Sequence, residues 1–332
     1  MTGVSRYLGG ATAHALAQDP RIERVIGVDV AAPHAEFGGH SRAEFVRADI
    51  RTPLIAKVID SAGVDTVVHT DINASPSASG GRASMKEANV MGTMRLLAAC
   101  QHAERVQRVV VKSSSAVYGA GPRDPAMFTE QMNPRNLSGG YGRDTQDVEG
   151  YARSFMRRRP DVTVSVLRFA NFIGPRIDSI LAPYFELSAV PMIAGFDPRL
   201  QLVHESDAIE ALLTCVQGAP ASSSGVFNIA SPDVITLSQA IMRAGRVPLP
   251  VVGPAATVAS RLVRLLGFAD FTPEHVQFLK YGRAMDTSLA RTRLGFEPAY
   301  STIGGFDDYL VGRGIEPTAP MRGLRSLLRV GR

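Results

Sequence analysis

The sequence predicts an α/β fold built on a doubly wound, Rossmann-type parallel sheet, followed by a smaller C-terminal lobe. Three observations lead to this prediction. Short strands rich in valine and isoleucine alternate with longer helical patterns, a glycine-rich turn opens the chain, and an acidic residue closes the strand that follows. With 45% hydrophobic and 20% charged residues over 332 positions, the composition is that of a globular protein, which excludes a disordered chain.

Five strands and four helices are expected in the first 170 residues. The strands are nearly continuous in β-branched residues, as is typical of parallel strands buried on both faces. They cover Arg24–Asp29, Glu44–Ala48, Val64–His69, Arg108–Ser113 and Thr163–Arg168. The helices cover Gly9–Asp19, Pro53–Ala62, Ala83–Gln101 and Gly140–Arg159. This alternation predicts βαβ units, and we assign residues 1–170 to a nucleotide-binding Rossmann domain.

Beyond Asn171 the pattern is irregular, with frequent proline and glycine. Short strands and helices are expected at Gln201–Val203, Asp207–Val216, Val226–Ile229, Ser238–Ala244 and Ala256–Leu266. We assign residues 171–318 mainly to a substrate-binding lobe, with segments that return to the Rossmann domain, and residues 319–332 to a basic tail. The tail alternates arginine and leucine at helical spacing, which fits a solvated end or a peripheral contact with an anionic membrane.

Composition and charge exclude several classes of protein. No apolar run approaches the ~18 residues of a membrane span, and no signal sequence is visible, so we expect a cytoplasmic protein. The two cysteines, Cys100 and Cys215, exclude a disulfide scaffold and a cysteine-built zinc site, and no metal is expected. The net charge is +5, of which residues 311–332 contribute +4 (five arginines, one glutamate). The remaining +1 argues against nucleic acid as the main partner.

The chain opens on a glycine turn, Thr2-Gly3 to Gly9, that leads directly into a helix. A dinucleotide fold needs a strand before such a turn and a helix N-terminus that faces pyrophosphate after it. Here only Met1 precedes Thr2, so the first strand, which would lie at the centre of the sheet, is expected to be missing from this chain. Met1 stands where that strand would end, a position that is usually valine. Because the codon GTG encodes valine and can also be read as a start codon, we expect the natural start to lie upstream.

Asp29 closes the next strand, 20 residues after Gly9. A carboxylate at this distance can accept hydrogen bonds from a free ribose 2′-hydroxyl and repels a 2′-phosphate. The spacing therefore predicts that the cofactor is NAD rather than NADP.

On these residues and on several further motifs, the chain resembles the extended short-chain dehydrogenase/reductases. The resemblance is to their NAD-dependent epimerase/dehydratase branch, which includes UDP-glucose 4-epimerase, and it runs from Thr2 to about Leu310. The motifs that carry it are Thr2 to Gly9 (TGxxGxxG), Asp49-Ile50, Val67-Val68-His69, Asn89-Val90 with Gly92-Thr93, Ser113 to Gly119 (SSSxVYG), Tyr141, Arg168 to Pro175, Gln201 to His204 with Asp207, Phe227-Asn228-Ile229, and Asp286 with Leu294 to Pro298.

The resemblance implies a role for individual residues. Ser114 would hold the substrate oxygen, and Tyr141 would exchange a proton with a substrate hydroxyl while NAD takes the hydride. Cofactor contacts are implied or predicted for Gly3, Arg6, Gly9, Asp29, Asp49, Ile50, His69, Asn89 and Thr145, and substrate contacts for Asn171 and Arg199. The implied partner is a small molecule, a nucleotide sugar, and a homodimer is possible.

The chain departs from the family pattern at the position where the family has a lysine four residues after the tyrosine. Here that residue is Thr145, which supplies no positive charge to lower the pKa of Tyr141. Lys112 shares a strand face with Ser114, because side chains alternate along a strand, and we assign it as a candidate replacement. Two further departures, Arg6 for a loop glycine and Asp71 for a small residue, would place opposite charges near the pyrophosphate.

Three functions remain open at this point. The first is an NAD-dependent epimerase, dehydratase or dehydrogenase acting on a nucleotide sugar. The second is an NAD-binding sensor or scaffold that kept the fold after losing the lysine. The third is a hydroxysteroid or other lipid dehydrogenase, because related branches use the same motifs and the basic tail could contact a membrane. Leu200 stands where the family has a substrate-side arginine, with Arg199 one place away, which weakens the assignment to a UDP-sugar.

Overall fold

The computed structural model describes residues 1–38, 41–132, 137, 140–252 and 272–318. The expected helix Ala256–Leu266 and the basic tail 319–332 lie outside these ranges. Within them, none of the helices combines the length and the apolar character that crossing a membrane would need.

Twelve strands and eleven α-helices are defined in the described ranges. The strands are β1 Val25–Asp29, β2 Ala43–Arg47, β3 Thr66–His69, β4 Arg108–Ser114, β5 Thr163–Phe169, β6 Asn171–Ile173, β7 Ala189–Ile193, β8 Arg199–Leu200, β9 Leu202–His204, β10 Gly225–Ile229, β11 Ile235–Thr236 and β12 Val247–Val251. The helices are α1 Tyr7–Gln18, α2 Leu54–Ser61, α3 Arg82–Lys86, α4 Thr93–His102, α5 Gly140–Arg158, α6 Ala182–Glu186, α7 Glu205–Gln217, α8 Pro220–Ser223, α9 Leu237–Arg243, α10 Pro273–Tyr281 and α11 Thr302–Gly312.

The main sheet is parallel and confirms the predicted fold class. Strands β3, β4, β5 and β10 pair in that order, and β1 pairs with β2. Among the described residues, Thr2 joins the two parts, through bridges to Val28 of β1 and His69 of β3. Its N–H donates to the Val68 carbonyl at 3.0 Å, and its own carbonyl accepts from Thr70 at 3.3 Å. Thr2 therefore lies where a dinucleotide fold has its central strand.

Helices cover both faces of this sheet, because alternate side chains of the buried strands point to opposite sides. Val110 of β4 packs into a core with residues of α1, α7 and β10. Its neighbours Val109 and Val111 pack into a second core with α2, α4 and α5. The two cysteines are buried one in each core, Cys100 with α4 and Cys215 with α7, and both are free thiols.

One predicted helix is more complex than expected. The stretch from Ala83 to Gln101 consists of α3, a π-helical segment Glu87–Gly92 and α4. Asn89, in the π-helical segment, bonds both backbone groups of Asn73 at 2.8 Å. Such segments have wider turns than an α-helix, and here the turn carries the amide that holds the loop after β3.

The second lobe is built from small sheets. Strands β6 and β9 pair in parallel, β7 and β12 pair in parallel, and β8 pairs antiparallel with β11. The expected strand Gln201–Val203 is shifted by one residue, to β9 Leu202–His204. The chain returns to the main sheet in this region, since α7 packs against α1 and β10 pairs with β5. The proposed division at residue 171 stays a prediction.

Candidate functional site

A cavity of about 860 Å³ lies at the carboxyl ends of β3, β4 and β5 and extends to the second lobe. Seven of the predicted site residues line it: Gly3, Arg6, Gly9, Lys112, Ser114, Tyr141 and Asn171. Seven others do not line it: Asp29, Asp49, Ile50, His69, Asn89, Thr145 and Arg199. The structure thus brings the glycine turn, the serine and the tyrosine to one cavity, as expected for ligands at this edge of a parallel sheet.

The glycine turn is folded tightly enough to require its first and last glycines. Gly3 has a φ of +81°, which L-residues rarely adopt, and a Cβ on Gly9 would overlap the Gly3 carbonyl. Arg6 precedes α1 in extended conformation and gives the helix no side-chain cap. The first turn of α1 therefore presents uncapped N–H groups and the positive end of its dipole beside the cavity.

Asp29 ties this turn to β1. Its carboxylate accepts hydrogen bonds from the backbone N–H of Ser5 at 3.0 Å and of Ala31 at 3.2 Å. The residue is 6% exposed. Its predicted contact with a cofactor ribose stays a prediction.

Three charged side chains meet next to the turn. The Lys112 ammonium donates to the carbonyls of Ile72 at 2.6 Å and Thr70 at 3.4 Å. Burial, followed by the Arg6 guanidinium, lowers the pKa of Lys112 to about 8, while Asp71 acts in the opposite direction. Burial and then Asp29 raise the pKa of the Asp71 carboxyl, and Arg6 and Lys112 counteract that rise. Arg6 thus opposes the rise in the pKa of Asp71, and the placement of these opposite charges near a bound pyrophosphate stays a prediction.

Tyr141 is the second residue of α5 and is half-buried in the cavity wall. Burial raises the pKa of Tyr141 to about 12, although hydrogen bonds with Ser114 and Thr145 and the charge of Arg6 lower it. The Thr145 hydroxyl also donates to the Tyr141 backbone carbonyl at 2.8 Å. The cation that acts on this phenol is Arg6, whereas Lys112 is directed at the end of β3. Compensation of Thr145 by Lys112 stays a prediction for the cofactor-bound protein.

His69 lies in the core behind the site, where it holds the glycine turn. Its Nδ1 is 2.7 Å from the Thr2 hydroxyl, and its Nε2 is 2.8 Å from the Thr93 hydroxyl, which donates to the Asn89 carbonyl. These bonds suit a neutral imidazole that is protonated on Nε2. Burial, followed by the charge of Lys112, lowers the pKa of His69 to about 3. His69 therefore supports Thr2 rather than facing the cavity.

Three other residues with predicted ligand contacts do not line the cavity. The Asp49 carboxylate pairs with Arg51 at 2.7 Å, and Ile50 packs against Gly92. Arg199 is exposed, donates to the Ala126 carbonyl at 3.1 Å and lies outside the cavity. The expectation that Arg199 reaches a substrate in this cavity is therefore not met by its position on β8.

Two residues that the sequence reasoning missed belong to the cavity wall, Glu274 and Arg283. Glu274, on α10, accepts hydrogen bonds from the backbone N–H groups of Tyr141 and Gly142 at the start of α5. A Cβ on Gly140 would overlap its carboxylate. Glu274 thus fixes the N-terminus of the helix that carries Tyr141. The only sequence signal for Arg283 was its place three residues before the motif residue Asp286.

In the part of the chain that is described, no group of three or more histidine, cysteine, aspartate or glutamate side chains is placed to hold an ion.

Comparisons with known proteins identify the family of the chain. Residues 1–230 match the NAD dependent epimerase/dehydratase family. The protein Rv0501 of Mycobacterium tuberculosis strain H37Rv is 48% identical over 328 residues, which cover 98% of this chain and 86% of the relative. Its counterpart in Mycobacterium bovis, Mb0513, shows the same identity and coverage.

Solved structures show the same fold at low identity. The UDP-glucose 4-epimerase of Thermotoga maritima with UDP-glucose has a TM-score of 0.73 at 20% identity, covering 94% of this chain and 96% of that one. The UDP-glucuronic acid 4-epimerase of Bacillus cereus, in complex with UDP-glucuronic acid and NAD, has a TM-score of 0.72 at 18% identity, covering 94% and 98%. At these identities the likeness establishes the fold.

Proposed function

The chain belongs to the NAD-dependent epimerase/dehydratase family, and we propose that it transforms a nucleotide sugar by tyrosine-assisted hydride transfer. One observation carries the proposal. A single cavity has the glycine turn at one end, Ser114 and Tyr141 along its wall, and the second lobe at its other end. A dinucleotide lying along the turn would place a substrate held by the second lobe beside the tyrosine.

The residues at the turn fit NAD, the cofactor of this family. The close approach of Gly3 and Gly9 leaves the first turn of α1 free to face a pyrophosphate, as in other dinucleotide sites. Arg6, whose side chain has no hydrogen-bond partner among the described residues, can add two N–H donors to that group. Asp29 would hold the adenosine ribose. When bound, NAD supplies an acceptor and donor of hydride.

The chain's own groups supply the proton chemistry. The Ser114 hydroxyl and the Tyr141 phenol both line the cavity, and Ser114 is close enough to lower the pKa of Tyr141, so a substrate hydroxyl or carbonyl oxygen can contact both. With a pKa of about 12, Tyr141 carries its proton at neutral pH. It is therefore ready to donate that proton to a carbonyl oxygen, and it accepts a proton only when a cation lowers its pKa.

The test is cofactor content and turnover of the purified protein. We expect bound NAD, and conversion of at least one of UDP-glucose, UDP-glucuronate and dTDP-glucose, followed by chromatography of the products. Tyr141→Phe should abolish conversion and keep NAD binding. Tyr151→Phe is a matched control, because Tyr151 lies on the same helix but outside the cavity. Absence of NAD binding, or full activity of Tyr141→Phe, would contradict the proposal.

Features of Thr145 and Tyr141 on α5 favour a second function, that of an NAD-binding sensor or scaffold. Thr145 supplies no charge, its hydroxyl is used by a backbone carbonyl, and the phenol pKa is high. This reading predicts NAD binding without conversion of any of the three sugar nucleotides. It also predicts that Tyr141→Phe leaves NAD affinity unchanged.

A further inference from the structure

Arg283 reaches the cavity from a segment that runs beside β8. Its backbone N–H donates to the Arg199 carbonyl at 3.2 Å, and it forms a parallel bridge with Leu200. The Leu200 side chain is fully buried in the core of the second lobe. Position 200 therefore contributes an apolar group to that core, and its bridge partner contributes a guanidinium to the cavity wall.

The guanidinium is held in a defined position. Its Nε donates to the Gly119 carbonyl at 2.8 Å, and its Nη1 donates to the Ser115 hydroxyl at 3.0 Å. The group also lies over the Phe278 ring, 5.3 Å from the ring centroid. Ser115 follows Ser114 directly, so the bond to Ser115 sets the guanidinium beside the segment that carries the predicted substrate-oxygen ligand.

The charge of Arg283 is incompletely neutralised. Among the described residues, no carboxylate lies within ion-pair distance of it, and its Nη2 has no hydrogen-bond partner. Burial lowers the pKa of Arg283 to about 10, while Glu274 and Tyr118 raise it. The Glu274 carboxylate is itself occupied by the N–H groups at the start of α5. Arg283 is half-buried and lines the cavity, so an anion that enters the cavity can accept a charge-assisted hydrogen bond from the unused Nη2.

We propose that Arg283 binds the anionic group of the substrate at the second-lobe end of the cavity. The planar guanidinium, with Nη2 uncommitted, suits oxygen atoms of a phosphate or a carboxylate. Both groups share this chemistry: the diphosphate of a nucleotide sugar and the carboxylate of a sugar acid. The inference rests on the proposed function and names the residue through which the chain selects a charged substrate, in place of Arg199.

Binding of anionic probes to the NAD-saturated protein tests this assignment, because NAD then fills the cofactor end of the cavity. The probes are pyrophosphate, UDP, UDP-glucose and glucuronate, measured by calorimetry, with glucose as the uncharged control. Arg283→Gln should weaken binding of UDP or glucuronate by about tenfold or more, and Arg283→Lys by less, because one charge-assisted bond contributes on that order. Glucose binding should not change.

Arg199→Gln is the matched control, since Arg199 lies on the paired strand outside the cavity, and it should bind every probe like the natural protein. Retained NAD affinity shows that each variant is folded. A loss for UDP and pyrophosphate alone identifies a phosphate site, and a loss for glucuronate alone identifies a carboxylate site. Unchanged anion binding in folded Arg283→Gln and Arg283→Lys overturns the inference, as does the absence of any anion binding to the natural protein. The first of these results leaves the proposed function intact, because that function is decided by NAD content and turnover.

Discussion

Replacement of Thr145 by lysine should lower the pKa of Tyr141 and convert it into a more effective base. Thr145 is fully buried one helical turn from Tyr141 and hydrogen-bonds with its phenol. Residues at i and i+4 share a helix face, so an ammonium at position 145 would lie near the phenol oxygen. A nearby positive charge stabilises the phenolate over the phenol.

The size of the effect follows from the pKa of about 12 in the natural chain. At pH 8 the phenolate is then only ~10⁻⁴ of the population, since each pH unit below the pKa is a factor of about ten. An opposite charge within hydrogen-bonding range shifts a pKa by about 1 to 3 units. Thr145→Lys should therefore raise the phenolate fraction at pH 8 by ~10 to ~1000-fold, toward the low end if burial also weakens the ammonium.

The assay is a pH titration of phenolate absorbance with NAD bound, from which the signal of the same protein carrying Tyr141→Phe is subtracted. We expect the midpoint assigned to Tyr141 to fall in Thr145→Lys and to stay near its natural value in Thr145→Met, which matches the chain length without the charge. At pH 8, the rate at which a sugar-nucleotide substrate reduces bound NAD should also be higher in Thr145→Lys than in the natural protein. A midpoint that is the same in the lysine and methionine variants, with both folded, refutes the reasoning.

Three further predictions follow from the same geometry. Asp29→Asn removes the charge and keeps one of the two oxygen atoms that accept from the Ser5 and Ala31 N–H groups, so it should reduce the preference for NAD over NADP in fluorescence titrations. A natural protein that prefers NADP would contradict this assignment. Because the pKa of Lys112 is lowered from 10.5 to about 8, folding stability should rise as pH increases from 8 to 10.5, and urea unfolding of Lys112→Met should lack that rise. In the folded protein His69 stays neutral until the pH approaches its pKa of about 3, whereas in the unfolded chain it is protonated below a pH of about 6.5. The free energy of unfolding should therefore fall by about 4 kcal/mol between pH 6.5 and 3. His69→Gln should remove that part of the acid sensitivity, and an identical pH dependence in both proteins would show that His69 is not responsible.

Much of the fold was predictable from sequence because the strands of the main sheet are buried on both faces. Val109, Val110 and Val111 must all be apolar, since successive residues enter opposite cores. A run of this kind is visible without any knowledge of tertiary structure. The π-helical segment Glu87–Gly92 was not predictable, because it depends on the amide of Asn89 reaching the loop after β3.

The site was predictable where function depends on local spacing. Gly3, Gly9, Ser114 and Tyr141 stand in motifs whose geometry is determined within a few residues, and all four line the cavity. Arg283 was missed because its position depends on pairing with a segment more than 80 residues away. Sequence distance therefore separates the part of the site that could be predicted from the part that could not.

The absence of a lysine at position 145 and the presence of Arg6 in the glycine turn both affect the pKa of Tyr141. A phenolate and a bound dinucleotide are both stabilised by positive charge, and in this chain Arg6 of the glycine turn supplies positive charge that acts on Tyr141. Arg6 acts on Tyr141 and on Lys112 at once, so these groups cannot be treated as independent. A lysine placed at position 145 would add a further cation close to Tyr141, beside the charge of Arg6. The shift that Thr145→Lys produces in the pKa of Tyr141 should therefore depend on whether Arg6 is present. A double-mutant cycle that combines Thr145→Lys with Arg6→Gly would measure this coupling directly.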